Sequence, residues 1–546
     1  MKKLNLILLT LIATIIVTGF VSNYFQITKN LEIFNNIYRE LEISYVEDIN
    51  PGELLHKTID NMLDDLDPWT IYIPESEVEE YRERSITGEY GGIGSKIRKI
   101  NDFVVIAEPF KNSPADKSGL QIGDKIIEIN GDNVIGVSTQ DVSSLLRGSP
   151  GTSVNIKLET INKEEKNVEI TREKIHNSTV PHYELLENKI GYIKLTQFKR
   201  KSSNDVRSAI ESLDTLSNSK LNGLILDLRN NPGGLLSECL EILNLFIPKN
   251  DTILTARGKN KSWDKEYITK KIAQYEDLPI VVFINDRSAS ASEIIAGCMQ
   301  DLDRGVVIGN TSFGKGLIQQ NKKLAYNTQL KLTVAKYYTP SGRCIQNRYS
   351  NNSGQRQIIA DSLRSQFFTR NGRKVYGDGG VDPDIRIENK TGLSIIMGLR
   401  KENCIFNFGN KIYSDIIFPK NIKDFTTPDN LYADFMNYID KIDFDFSVYS
   451  EDVLLLLEEA LAGDLYLEYL EEDIQALRLN IVENKKKDLS RYEDEIKQYI
   501  TQDLILRKFY RKGVIEQSLK NDKYIQSAIS ILSDNKKYSS ILFPQQ

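Results

Sequence analysis

Two stretches of this 546-residue chain share a plan that few folds can satisfy. "NGLILDLRNNPGGLLSECLEILNLF" and "LPIVVFINDRSASASEIIAGCMQD" each place a continuous apolar run, Leu224–Leu228 and Ile280–Ile284, ahead of a polar turn and a helix pattern. A strand with no polar face must be covered on both sides, as parallel strands are in an α/β layer. In such sheets the chemistry gathers at the carboxyl ends of the strands, where the helices begin. The turns NNPGG and NDRSASAS are therefore the first places to look for function.

The second turn carries serines at alternate positions, Ser288, Ser290 and Ser292, before a helix continued by Glu293–Met299. Ser290 falls at or just inside the helix start, where its hydroxyl can face the crevice and the helix N-terminus offers N–H groups to a developing oxyanion. Gly233 and Gly234 stand at the equivalent helix start of the first turn, and together the two turns can build an oxyanion hole. A serine nucleophile needs a base. His56, His176 and His182 all fall outside these turns, so a Ser-His-Asp arrangement has no good candidate. "TSFGKGLIQQ", after the strand "GVVIG", offers Lys315 between two glycines. A lysine can act as base when burial or nearby positive potential lowers its pKa, and Ser-Lys pairs are an established variant. Taken alone, such a lysine is more often a solvated loop residue or a phosphate ligand. The P-loop pattern GxxxxGK[ST] is not met.

Length implies roughly three or four domains. A net charge of -6 excludes a global attraction to nucleic acid or anionic lipid. Cys239, Cys298, Cys344 and Cys404 lie far apart, with neither zinc-site nor disulfide-framework spacing, and read as buried thiols. "MKKLNLILLTLIATIIVTGFVSNYF" has two lysines ahead of the apolar run Leu4–Val21, the shape of a secretory signal or N-terminal anchor. With no A-x-A site and no following cysteine, an uncleaved inner-membrane anchor is favoured over a removed signal. Helical spacing then continues to about Arg84, interrupted by a turn at Pro51 and Gly52.

Near Gly88 the pattern changes to short strands separated by glycine. Strands are expected at Lys125–Asn130 and Ser153–Glu159, with a helix at Thr139–Arg147 that Ser138 and Asp141 can cap. This order, and "SGLQIGDKIIEINGDNV" most specifically, resembles a PDZ domain. "GGIG" stands where that family's carboxylate-binding loop lies, which assigns Gly91, Gly92, Ile93 and Gly94 to a substrate C-terminus. Consecutive N–H groups freed by glycine can converge on an anion, and the next strand offers an edge for peptide pairing.

Together, "LDPWTIYIPESEVEEYRERSITGEYGGIG", the PDZ pattern, "LILDLRNNPGGLL", "SASASEIIAGCMQD", "SFGKGLIQQ" and "GVDPDI" resemble the carboxyl-terminal processing peptidases, or tail-specific proteases, over about Leu66–Ile385. The resemblance implies a multidomain α/β protein. It would have an N-terminal segment, signal peptide or membrane anchor, at 1–28 and an N-terminal helical region at 29–85. A PDZ domain, β-rich with two helices, would follow at 86–175, then a crotonase-like serine protease core at 176–390. The resemblance says little beyond residue 390, and the helical spacing of "EDVLLLLEEALAGDLYLEYLEEDIQALRL" marks 391–546 as an α-helical C-terminal accessory region. The resemblance further implies Ser290 as nucleophile, Lys315 as base, Gln319 as the residue that orients the lysine, and Ala291 with Gly233 and Gly234 as the oxyanion hole. Ser288 and Ser292 are left with helix capping and packing. The family's usual Leu-Asp-Pro-His is departed from at Trp69, a position with no role in this chemistry.

The implied reaction is peptide hydrolysis near the C-terminus of substrates with unstructured tails, in the periplasm or cell envelope. It needs no metal or organic cofactor and no nucleic acid. A homo-oligomer and an adaptor protein stay open as partners. Two other classes also stay open: a PDZ adaptor with an inactive core, and a crotonase-type enzyme acting on a coenzyme A ester. Arg147, at the end of the expected PDZ helix, has two readings. It complements the helix dipole, or it crosses to the protease core when a tail is bound and couples recognition to catalysis.

Overall fold

The computed structural model describes residues 25–176, 178–218, 220–347, 361–387, 394–442 and 444–543. The apolar run Leu4–Val21 lies outside them, and no helix among the described residues is long and apolar enough to cross a membrane. The chain divides into two units: residues 1–75 with 319–333 and 350–355, and the remainder.

In the first unit, residues 25–44 are helical, and Asn50 then opens α1 (Pro51–Asp64). The Asn50 side chain accepts the N–H groups of Gly52 and Glu53, and Pro51 fills a position that needs no donor. Asp67 fixes the following turn by accepting the Trp69 and Thr70 N–H groups. The turn leads into β1 (Ile71–Ile73), antiparallel to residues 329–331 with Ile71 opposite Lys331. Trp69 contributes its backbone N–H to this turn.

The second unit opens with α2 (Glu75–Arg82) and a π-turn at Glu83–Thr87. β2 (Glu89–Gly92) is followed by β3 (Ser95–Ile100) and β4 (Phe103–Pro109), the short α3 (Pro114–Lys117), and β5 (Lys125–Ile129) with β6 (Asp132–Asn133). Next come α4 (Thr139–Leu146), β7 (Ser153–Glu159), β8 (Glu165–Thr171) and β9 (Glu173–His176). The sheet order is β3-β4-β5-β7-β8 with β6 on β5, while β2 pairs with β9. β3 is thus an edge strand, and α4 packs beside it. Ser138 caps α4 by accepting the Asp141 N–H, as its spacing predicts. The helix stops at Leu146, one residue short of expectation, because Arg147 is already extended at φ -77° and ψ 163°.

β10 (His182–Leu185) and β11 (Ile190–Lys194) begin the α/β sheet, and α5 (Ser202–Leu216) leads to β12 (Gly223–Asp227) and α6 (Leu236–Leu243). β13 (Thr252–Arg257) and β14 (Lys265–Ile268) form an antiparallel pair outside it. β15 (Ile280–Ile284), α7 (Ala291–Asp301) and β16 (Val306–Gly309) follow. β10-β11-β12-β15-β16 stand in that order, closed by the two residues Ile385 and Arg386, and every pair beyond β10–β11 is parallel. The apolar runs are buried on both faces because alternate residues serve different layers. Leu224, Leu226, Ile280 and Val282 join α5, α6 and α7, while Ile225, Val281, Phe283 and Ile308 face the other way.

That second face is covered by the end of the chain. After α8 (Ser394–Lys401), α9 (Cys404–Ile412), α10 (Leu431–Ile439), α11 (Tyr449–Gly463), α12 (Leu467–Arg491) and α13 (Glu493–Leu519), the chain reaches α14 (Lys523–Leu532) and α15 (Asn535–Leu542). Tyr524, Ile525, Ala528, Ile531, Leu532 and Leu542 complete the layer on the sheet. The C-terminal region was expected to be accessory, yet its last two helices are half of the sheet's cover. Among the cysteines, Cys239, Cys298 and Cys404 are buried thiols as expected, whereas Cys344 is half-buried.

Candidate active site

The strand order places β12, β15 and β16 side by side and parallel, so three segments leave one edge of the sheet together. They are the glycine turn 228–234, the serine turn 285–290 and the lysine loop 310–316. This is the crevice in which parallel sheets collect their chemistry.

Ser290 has φ 55° and ψ -112°, a backbone conformation costly for any residue with a Cβ. Its N–H donates to Glu293 Oε2 at 2.8 Å, and its carbonyl accepts from the Tyr337 hydroxyl at 3.2 Å. The same two side chains hold Lys315. Its N–H donates to Glu293 Oε2 at 2.8 Å, and its carbonyl accepts from Tyr337 at 2.7 Å. Glu293 also accepts from Gly314 N–H and the Ser312 hydroxyl. Burial pushes its carboxyl above the ordinary range, against the pull of these donors. Burial also raises the Tyr337 phenol far above its usual value, which keeps it a donor. One carboxylate and one phenol thus bring the backbones of the serine turn and the lysine loop together.

Ser288 and Ser292 do more than cap and pack. Their hydroxyls donate to the carbonyls of Leu228 at 2.8 Å and Asn231 at 2.9 Å, and Ala289 N–H also donates to Asn231 O at 3.0 Å. The serines flanking Ser290 therefore brace the serine turn against the glycine turn. Gly233, at φ 94°, comes so close that a Cβ there would lie 2.9 Å from Ser290 Cβ and 2.6 Å from the Ala289 carbonyl oxygen. At Gly234 a Cβ would meet the Phe198 carbonyl oxygen at 2.1 Å. Both positions require glycine. The Gly233 N–H, expected to face an oxyanion, is committed instead to Asn231 Oδ1 at 2.9 Å, because the asparagine side chain folds forward over its own turn.

Gln319 belongs to the first unit, where its amide donates to the Trp69 carbonyl at 2.6 Å. The three histidines each meet a carboxylate: His56 with Asp60, His176 with Glu89 and His182 with Glu184. A groove beside β3 is lined by Tyr90, Gly92, Ile93, Ser95 and Ile97, facing Ser143, Leu146 and Arg147 of the α4 side. Gly92 and Ile93 thus line it, while Gly91 and Gly94 support it from behind. A Cβ on Gly91 would sit 2.1 Å from the Gly148 carbonyl oxygen, and Gly94, at φ 76°, packs on Ser113. Arg147 pairs with Glu83 and, at 3.7 Å, with Glu80, and lies 5.0 Å over the Tyr90 ring. Its side chain is a wall of the groove, while its N–H closes the α4 carboxyl end by donating to the Ser143 carbonyl at 3.0 Å.

Sequence reasoning missed Glu293 and Tyr337. Glu293 was legible in principle, since it stands three residues after Ser290 at capping-box spacing. Tyr337 is 47 residues from Ser290 and has no local signal.

Comparison with known proteins bears on this geometry. A model of peptidase family S41 matches residues 189–354, a PDZ-domain model residues 105–160, and a model of the PDZ-protease C-terminal helical domain residues 395–532. The carboxy-terminal-processing protease of Bartonella bacilliformis is 34% identical over 320 residues, 58% of this chain and 73% of that protein. The chain belongs to peptidase family S41. A CtpA-like serine protease of Staphylococcus epidermidis is 32% identical over 349 residues, covering 63% of this S41 chain and 70% of its relative. Among solved structures, the photosystem II D1 C-terminal processing protease aligns at 25% identity and a TM-score of 0.35, covering 66% of this chain and 88% of that one. This S41 member is a serine peptidase, built as a PDZ domain, a protease core and a C-terminal helical domain.

Proposed function

We propose that this serine peptidase works through a Ser290–Lys315 dyad and acts on the C-terminal tails of unstructured protein substrates. A tail carboxylate docks at Gly92 and Ile93 of the PDZ groove, its last residues pair along edge strand β3, and the upstream chain enters the crevice. Neutral Lys315 takes the Ser290 hydroxyl proton as the oxygen attacks the peptide carbonyl. The N–H groups of Ala291 and Gly234 receive the oxyanion, with Gly233 shaping the turn behind them. The lysine then protonates the leaving amine, and water releases the acyl-enzyme. The apolar N-terminus exports the chain and tethers it at the cell envelope. The observation that carries this reading is the pair of shared anchors, Glu293 and Tyr337, which fix the Ser290 and Lys315 backbones together.

The test is cleavage of an unstructured peptide by the purified chain and by Ser290→Ala and Lys315→Arg. Both variants should fold, bind the peptide and leave it intact, since arginine stays protonated. Wild-type turnover should fall on acidification as the lysine amine is protonated. Substantial cleavage by either variant contradicts the dyad.

A further inference from the structure

Behind the glycine turn lies a buried ionic cluster that the chemistry above does not use. Asp227, at the end of β12, binds Arg229 Nη2 at 2.6 Å and Lys194 Nζ at 3.0 Å, and accepts the Tyr192 hydroxyl at 2.8 Å. Two cations and one carboxylate would leave an excess positive charge where water is largely excluded. The missing charge comes from the C-terminal helical region: Asp522 Oδ2 lies 2.8 Å from Arg229 Nη2. The Arg229 guanidinium also packs on both rings of an edge-to-face aromatic pair, 4.5 Å from the Tyr524 ring centroid and 5.1 Å from that of Phe283. Arg229 is therefore held at once from β12, from β15 and from the start of α14.

We propose that Asp522 is a positioning residue for the peptidase reaction, acting through Arg229 to hold the glycine turn against the serine turn. The path is short. Arg229 N–H donates to Asp227 Oδ1, and its carbonyl accepts Lys194 Nζ. The next residue, Asn230, exchanges hydrogen bonds with Asn285, at 2.9 Å to its N–H and 3.0 Å to its side chain. Asn231 then accepts from Ala289 and Ser292 on either side of Ser290. A displaced Arg229 would shift the Gly234 donor relative to Ser290, and small misplacements in an oxyanion site reduce turnover more than binding. The assignment rests on the Ser290 reading above.

The experiment uses the full chain and an unstructured peptide with a free C-terminus. Asp522 also caps α14 by accepting the Tyr524 N–H at 2.9 Å, a function asparagine retains, so Asp522→Asn isolates the charge. The expected result, measured well below the melting temperature of both chains, is a fall in kcat of at least about tenfold with KM within about twofold. In an Arg229→Gln background the same substitution should cost nothing further, since the two act as one unit. Wild-type kcat in Asp522→Asn overturns the proposal, as does full additivity with Arg229→Gln or a kcat that falls only in step with melting temperature. Ser290→Ala, assayed alongside, separates the two readings. If it turns over, both fall; if it is inactive while Asp522→Asn matches wild type, only the Asp522 role falls.

Discussion

Ser290 sits in a strained conformation, and the carboxylate three residues later is what holds it there. Glu293 spends both oxygens on four donors, two of them the backbone N–H groups of Ser290 and Lys315. Glu293→Gln keeps the shape but turns an NH2 group towards donors, leaving buried N–H groups unpaired at about 1–3 kcal/mol. We predict a loss of stability in that range by chemical denaturation and a fall in turnover of at least about tenfold. Unchanged stability and turnover would show that the shared carboxylate is dispensable. Ser290 and Lys315 were legible as residues because their turns follow apolar runs. What joins them was not: Glu293 looked like one more helix residue, and Tyr337 arrives from a distant strand. Backbone commitment was equally invisible, which is why Gly233 looked like a free donor until Asn231 was placed beside it.

Among the elements, buried strands were the most legible. Ile280–Ile284 and Ser153–Glu159 are strands over the lengths their patterns predict, since burial on two faces or one writes itself into residue order. The partners of helices were not legible. An amphipathic helix states that one face is covered but not by what, so α14 and α15 could not be assigned to the protease sheet. A second contact between core and helical region is electrostatic. Glu184 of β10 meets His182 at 3.3 Å and Lys423 at 3.0 Å, and these partners, His182 first, lower its carboxyl to about 2. A carboxyl depressed below its unfolded value of about 4.3 stabilises the fold above that pH and loses the contribution as pH falls towards its folded value. Partial solvent screening limits the term to about 1 kcal/mol. Urea denaturation should therefore find wild type more stable than Glu184→Gln at pH 7, with the difference vanishing as the pH falls through the window from about 4.3 to about 2. A difference independent of pH would exclude this linkage.

At the scale of the whole second unit, the PDZ domain is docked on the helical region as well as joined to the core by chain. Arg511 binds Glu108, the Tyr510 hydroxyl donates to Asp116 at 2.6 Å, and Phe406 packs against Val105 and Ile122. The helical region that covers the protease sheet through α14 and α15 thus also meets the PDZ domain, through α9 and α13. Arg147 is the residue through which we expect the groove to report occupancy, since it faces the groove while pairing with Glu83 and Glu80. A contact made in only one of two states shifts their populations. If Arg147 exchanges these carboxylates for the core when a tail binds, Arg147→Ala should lower turnover at least about tenfold, with little change in peptide affinity or melting temperature. Turnover near wild type, or turnover and stability lost together, would leave Arg147 as a wall of the groove and nothing more.

The central claim is that cleavage is directed by a free C-terminal carboxylate. It is tested most directly by comparing kcat/KM for two unstructured peptides of one sequence, one ending in a carboxylate and one in an amide. The amide removes the anion that Gly92 and Ile93 would bind and leaves every other contact in place. Amidation should lower kcat/KM by at least about tenfold, or about 1.4 kcal/mol, and Ser290→Ala should cleave neither peptide. Equal cleavage of the two peptides by the wild-type chain would contradict it.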